Sequence, residues 1–192
     1  MRKKSHISLA RHIVTDVDSL SILKHKKAFY VGSILPDCKP SFITTKHEME
    51  GTFPRITKEI DKIVSNRYKM PSNYYRHLGE ILHYIADYFT FPHNKGFLGS
   101  IRDHCAYEAR LKFTLNDYIR GIDALPKKKD DGIKLMSSED ICNYIRARHA
   151  QYIQCVRHTV EEDCNFIVEV CTKIAASIMM ICNANTVALG LV

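Results

Sequence analysis

Leu78-Gly79-Glu80-Ile81-Leu82-His83-Tyr84-Ile85-Ala86-Asp87-Tyr88-Phe89-Thr90-Phe91-Pro92-His93 is the stretch from which the rest of the chain can be read. Its apolar residues Leu78, Ile81, Leu82, Ile85, Ala86 and Phe89 recur at three- and four-residue steps, the pattern of a buried amphipathic helix. His83 and Asp87 are four apart, so on that helix they project from one face, a turn from each other. Pro92 ends the helix and His93 follows it. Further on, His104 and Glu108 repeat the i, i+4 pairing. Imidazole and carboxylate both suit zinc, and a helix fixes the spacing between them, so these five side chains form a candidate transition-metal site. The plainer alternative is a pair of helix-capping histidines and ordinary surface pairs.

The chain of 192 residues is long enough for a sizeable core and is most simply one domain, 1–192. Its hydrophobic content of 45% and charged content of 26% are those of a globular protein, and nothing in them argues for disorder. A net charge of +7 favours anionic partners: phosphate-bearing substrates, nucleic acid or acidic lipid. Arg2-Lys3-Lys4 is followed by His6, Arg11 and His12 rather than an apolar run, so no secretory signal is read and a cytoplasmic location is expected. The seven cysteines include no CxxC pair and are read as reduced, mostly buried small hydrophobes.

Ser5 through Val14 reads as a helix capped by Ser5, with His6 in its first turn. Phe29 through Pro40 is punctuated by Gly32, Pro36 and Pro40 and reads as a loop carrying Asp37; Thr44-Thr45-Lys46-His47-Glu48 reads as a second polar loop. Helices are expected from Pro54 to Tyr68 and from about Ser100 to Ala124, and Pro126 through Gly132 reads as a solvated basic connector. Ser137-Ser138-Glu139-Asp140 signals the start of one long final helix carrying His149 and His158. Its apolar part, Phe166 to Cys182, is interrupted by Glu169 and Lys173 and is expected to be a core helix rather than a membrane span. His77 lies six residues before His83, well off the ligand face, and His12, His25 and His77 read as structural. Strand-like alternation is scarce, so the fold is expected to be all α.

Taken together, Ser5-His6, Gly32 through Asp37, His47, His83-x3-Asp87-x5-His93 and His104-x3-Glu108 resemble the ligand series of the bacterial zinc-dependent phospholipase C family, in uninterrupted order from residue 6 to residue 108. The resemblance implies an all-helical bundle with a metal cluster at the floor of a cleft, a fold shared with single-strand nucleases of the S1/P1 type. In those nucleases the last pair is usually His-x3-Asp, so Glu108 favours the phospholipase branch. It further implies two or three zinc ions: Asp37, His47, His83 and Asp87 around one, His93, His104 and Glu108 around another, and His6 with the bridging Asp87 around a third. Asp37 would also be the general base. The activity implied is hydrolysis of a phosphate ester, phospholipid included, by a zinc-activated water. A nuclease or nucleotidase, or a non-catalytic metal-binding domain, are the alternatives.

Two departures from the family are visible. Secreted members begin with a Trp whose amino group and carbonyl complete the third zinc site; here Met1-Arg2 leads, which leaves that site weakly held, differently ligated or absent. Choline-preferring members place an aromatic directly after the loop aspartate, where this chain has Cys38, so no choline cage is expected. Tyr84, Phe89, Phe91 and Phe53 are expected in the core more than around a headgroup.

Overall fold

A computed structural model describes residues 1–17, 19–39, 47–65, 67, 68, 70–124, 132–155 and 158–188. The described residues form seven α-helices and no strand: α1 (Lys3–Asp16), α2 (Leu20–Ile34), α3 (Met49–Val64), α4 (Pro71–Tyr88), α5 (Ile101–Asp123), α6 (Ser138–Ile153) and α7 (Val160–Ala188). Two short 3-10 turns, Pro36–Cys38 and Phe91–His93, interrupt the connections. The all-α expectation therefore holds. Residues 40–46, which hold the end of the first expected loop and the start of the second, and residues 125–131, which hold all of the expected basic connector except Gly132, lie outside the described residues.

α4 is the central rod. Pro71 opens it, where a missing N–H costs nothing, and its apolar stripe is buried from Leu78 to Ile85. It ends at Tyr88 as the Phe89 and Thr90 N–H groups fall back onto Ala86 and Asp87 carbonyls. α2 crosses α4 most closely, at two glycines. A Cβ on Gly32 would sit 1.9 Å from the Arg76 carbonyl oxygen, and one on Gly79 would sit 2.3 Å from that of Phe29. The two backbones thus touch where only hydrogen can separate them. The loop expected from Phe29 to Pro40 is not what the structure shows: α2 runs through Gly32 to Ile34, because the glycine serves helix contact rather than a turn.

Other boundaries differ for local reasons. α1 starts at Lys3, so Ser5 is not its cap but a buried first-turn residue. α3 begins at Met49, ahead of Pro54, which forfeits the one bond its N–H could have given Glu50; the helix stops at Val64, short of Tyr68. Ser137 does cap a helix, accepting the Asp140 N–H, but that helix ends at Ile153. A second start follows: Thr159 and Glu162 exchange side-chain and backbone bonds as a reciprocal cap, with His158 at φ +42° just before it. The single final helix expected from the sequence is therefore two. His149 lies on α6 and His158 between the two.

α7 is long and apolar enough to cross a membrane by length and composition, yet 61% of that window is buried against the rest of the protein, on α1, α3, α4, α5 and α6. It packs as a core helix. Cys142, Cys164, Cys171 and Cys182 are buried among these apolar side chains, and all seven cysteines are free thiols. Phe53, Tyr84 and Phe89 are core residues as expected.

Candidate metal centre

Three elements of the local fold aim side chains at one point. α1 contributes His6 from its first turn, the Pro36–Cys38 turn holds Asp37 after α2, and α4 presents His83 and Asp87 on one face. His47 precedes α3, His93 ends the second 3-10 turn, and α5, capped by a reciprocal Ser100–Asp103 box, presents His104 and Glu108. All eight predicted residues converge.

They do so in three groups, each with ligand atoms within 4.8 Å of one another: His6, His83 and Asp87; Asp37, His47 and His83; His93, His104 and Glu108. His83 Nε2 lies 3.5 Å from Asp37 Oδ1, 3.4 Å from Asp87 Oδ2 and 3.2 Å from His47 Nδ1. His6 Nε2 is 3.4 Å from Asp87 Oδ1, and Glu108 Oε1 is 3.2 Å from His104 Nε2 and 3.4 Å from His93 Nε2. Ligand atoms around a tetrahedral zinc, with bonds of about 2.0–2.2 Å, stand about 3.3–3.6 Å apart. The spacings above, 3.2–3.5 Å, lie at or close to that range, while His47 Nδ1 stands 2.9 Å from Asp87 Oδ2 and 4.0 Å from Asp37 Oδ1. His6 Nε2 and Asp37 Oδ1 are moreover enclosed without a hydrogen-bond partner among the described residues. Protein interiors rarely leave such atoms unmet, so this donor set fits metal ions.

Orientation comes from behind. The Ser33 carbonyl lies 2.9 Å from His83 Nδ1; a carbonyl can only accept, so Nδ1 carries the proton and Nε2 turns its lone pair into the cluster. Burial, reinforced by His6, whose ring stacks on it at 3.9 Å, pushes the His83 pKa well below its ordinary value. Burial raises the Asp37 carboxyl, partly offset by His6. Burial alone would also raise Asp87, but the Met1 ammonium and the His93, His6 and His83 rings hold it well below the carboxylate range. Glu108 is likewise depressed: hydrogen bonds from His104 and His93 outweigh its burial.

Two further groups support the cluster, the first at the place where the family resemblance puts an N-terminal amine and the second with no sequence signal. The α-amino group of Met1 sits among these side chains, 2.5 Å from Asp87 Oδ1, 3.2 Å from Glu108 Oε1 and 3.3 Å from His93 Nε2. Burial lowers the affinity of that amine for its proton, but the two carboxylates prevail and its pKa is raised. Second, Asp163 on α7 is fully buried and accepts the Phe91 N–H and the Tyr107 hydroxyl at 2.8 Å and the Tyr152 hydroxyl at 2.7 Å, clamping the turn that ends in His93. The remaining histidines stay structural: His12 Nδ1 meets Asp123 at 2.8 Å, His25 stacks on Tyr75, His77 faces Glu59, His149 reaches Asn94 and His158 stacks on Phe91.

Above the cluster opens a cleft of about 980 Å³, with Asp37, His47, His93, His104 and Glu108 at its floor. Pro92 and Phe97 stand in its wall, and Arg2, Lys3, Lys4, Lys95 and Lys112 give it a basic margin. The family comparison adds to this geometry, matching zinc-dependent phospholipase C over residues 5–159. The chain belongs to the zinc-dependent phospholipase C family. No curated protein and no solved structure matches it. Membership in the zinc-dependent phospholipase C family supports a zinc-dependent phosphoesterase, and the match takes in every one of the eight converging side chains.

Proposed function

We propose that the protein hydrolyses a phosphate ester, phospholipid being the substrate class the family favours. One zinc would be held by Asp37, His47, His83 and Asp87, and a second by His93, His104 and Glu108. A third would be held by His6 and Asp87, with the Met1 amine placed beside it. The observation that carries the reading is the pair of enclosed atoms that lack a hydrogen bond, His6 Nε2 and Asp37 Oδ1, inside a carboxylate–imidazole cluster that opens onto a cleft lined by basic side chains. Bound zinc would supply an acidified water, with pKa near about 7, and charge neutralisation for the phosphate.

The chain's own residues do the rest. Arg2, Lys3, Lys4, Lys95 and Lys112 draw the anionic ester toward the floor. Asp37 reaches both the cluster and the cleft, and as the general base it takes the proton of the attacking water. Pro92 and Phe97 offer an apolar wall to the alcohol side of the ester. A second reading, nuclease or nucleotidase, rests on Phe97 as a stacking platform for a base beside the metals.

The test joins metal content to turnover. Elemental analysis of chelator-free protein is expected to find two or three zinc per chain, with more than one lost in Asp87→Ala. Asp37→Asn is expected to lower turnover of a nitrophenyl phosphodiester by about 10²–10⁴-fold. Faster turnover of a single-stranded oligonucleotide than of a phospholipid selects the nuclease reading. Full metal with no turnover on any phosphoester makes the domain a non-catalytic metal binder.

A further inference from the structure

The margin of the cleft carries two large aliphatic side chains almost without protein cover. Leu98 is 96% exposed and Ile101 is 86% exposed, the two highest values among the large hydrophobics of the described residues. They are three positions apart at the cleft mouth. Phe97 and Gly99, on either side of Leu98, line the cleft, and Ile101 stands on its rim. Cations line the same cleft: Arg2, Lys3, Lys4, Lys95 and Lys112 are among its lining residues, and exposed Arg102 follows Ile101. Lys3 and Lys4 form no ion pair among the described residues. Arg2 binds the Cys105 carbonyl, and Lys95 pairs with Glu50 at 3.2 Å. Of the acids nearby, Asp103 is turned back onto the Ser100 N–H and hydroxyl, and Glu48 lies on the cleft wall.

We propose that this lip docks the cleft on an anionic phospholipid surface, Leu98 and Ile101 entering the headgroup–acyl boundary while the cations meet acidic headgroups. Apolar anchors combined with basic side chains are what interfacial binding uses. Nucleic acid would engage the cations but leave both aliphatics in water, and a small dissolved ester needs neither. The proposal rests on the phosphoesterase reading only in that such docking would present a lipid ester to the metal floor.

The experiment is co-sedimentation of the zinc-loaded full chain with vesicles of phosphatidylcholine, with and without about one third phosphatidylglycerol. The partition constant is expected to be at least about tenfold higher on the anionic vesicles. Leu98→Asp and Ile101→Asp are each expected to reduce it by about tenfold or more. Leu98→Asp, outside the cleft lining, is expected to leave turnover of a soluble nitrophenyl ester unchanged. Equal binding to both vesicles, binding indifferent to Leu98→Asp, or retention by single-stranded oligonucleotide but not by vesicles overturns the docking surface. Binding is read without turnover, so a chain inactive on every phosphoester that still binds through Leu98 upholds the docking surface and removes the hydrolase reading alone.

Discussion

The carboxylate of Asp163 receives the backbone N–H of Phe91 at 2.8 Å, across 72 positions of sequence. It thereby joins the first turn of α7 to the turn that ends in His93. Asp163→Ala would leave three buried donors, from Phe91, Tyr107 and Tyr152, without their acceptor. A loss of about 3 kcal/mol in unfolding free energy is expected. Asp163→Asn keeps an acceptor oxygen and is expected to lose less. Zinc occupancy should fall in the alanine variant and recover in the asparagine one; equal occupancy in all three would separate Asp163 from the metal centre.

The same residue gives stability a pH dependence. Burial pushes the Asp163 carboxyl up to about 7, against the pull of its three donors. Its folded pKa exceeds its unfolded value of 3.8, so the folded state holds the extra proton between the two. The contribution is therefore full below pH 3.8 and is lost as pH rises through about 7. Denaturant titrations of zinc-loaded protein should show wild-type stability declining relative to Asp163→Asn by up to about 1.4 kcal/mol per pH unit across that window. Parallel curves would mean the carboxyl is ionised throughout.

Gly79 and Gly51 make a paired test of helix contact. A methyl at Gly79 meets the Phe29 carbonyl and the Ser33 nitrogen, whereas one at Gly51 meets nothing within 4 Å. Gly79→Ala is expected to cost about 1–3 kcal/mol by overpacking, with zinc affinity down about 10–100-fold as the Ser33 carbonyl leaves His83. Gly51→Ala is expected to gain about 0.4–1 kcal/mol, since alanine restricts the unfolded chain. Thermal melts and zinc titration read both.

Removing metal offers a broader check. On the proposed assignment, zinc at a thousandfold excess over its dissociation constant adds about 4 kcal/mol per site. Chelation should lower the melting midpoint, and added zinc should restore it. A midpoint unmoved by chelator and zinc would argue against the cluster.

The sequence was informative wherever spacing alone carries geometry. His83 and Asp87, or His104 and Glu108, lie four apart on helices, and that is enough to place them on one face. It was silent where chain-distant groups meet. Nothing near Asp163 announces that Phe91 needs an acceptor, and nothing in Ser33 reveals that its carbonyl orients His83. Gly32 misled because a glycine that permits a turn and one that permits close helix contact look alike in sequence. The split between α6 and α7 was legible in Thr159-x-x-Glu162, a cap hidden by the apolar run after it.

The partner that orients His83 has no side chain to inherit or to lose. Ser33 offers its main-chain carbonyl, so selection can act on that hydrogen bond only through what holds α2 against α4, namely the missing Cβ atoms at Gly32 and Gly79. In a diverging lineage all eight converging side chains could survive intact while a single added methyl group disturbs the site they form.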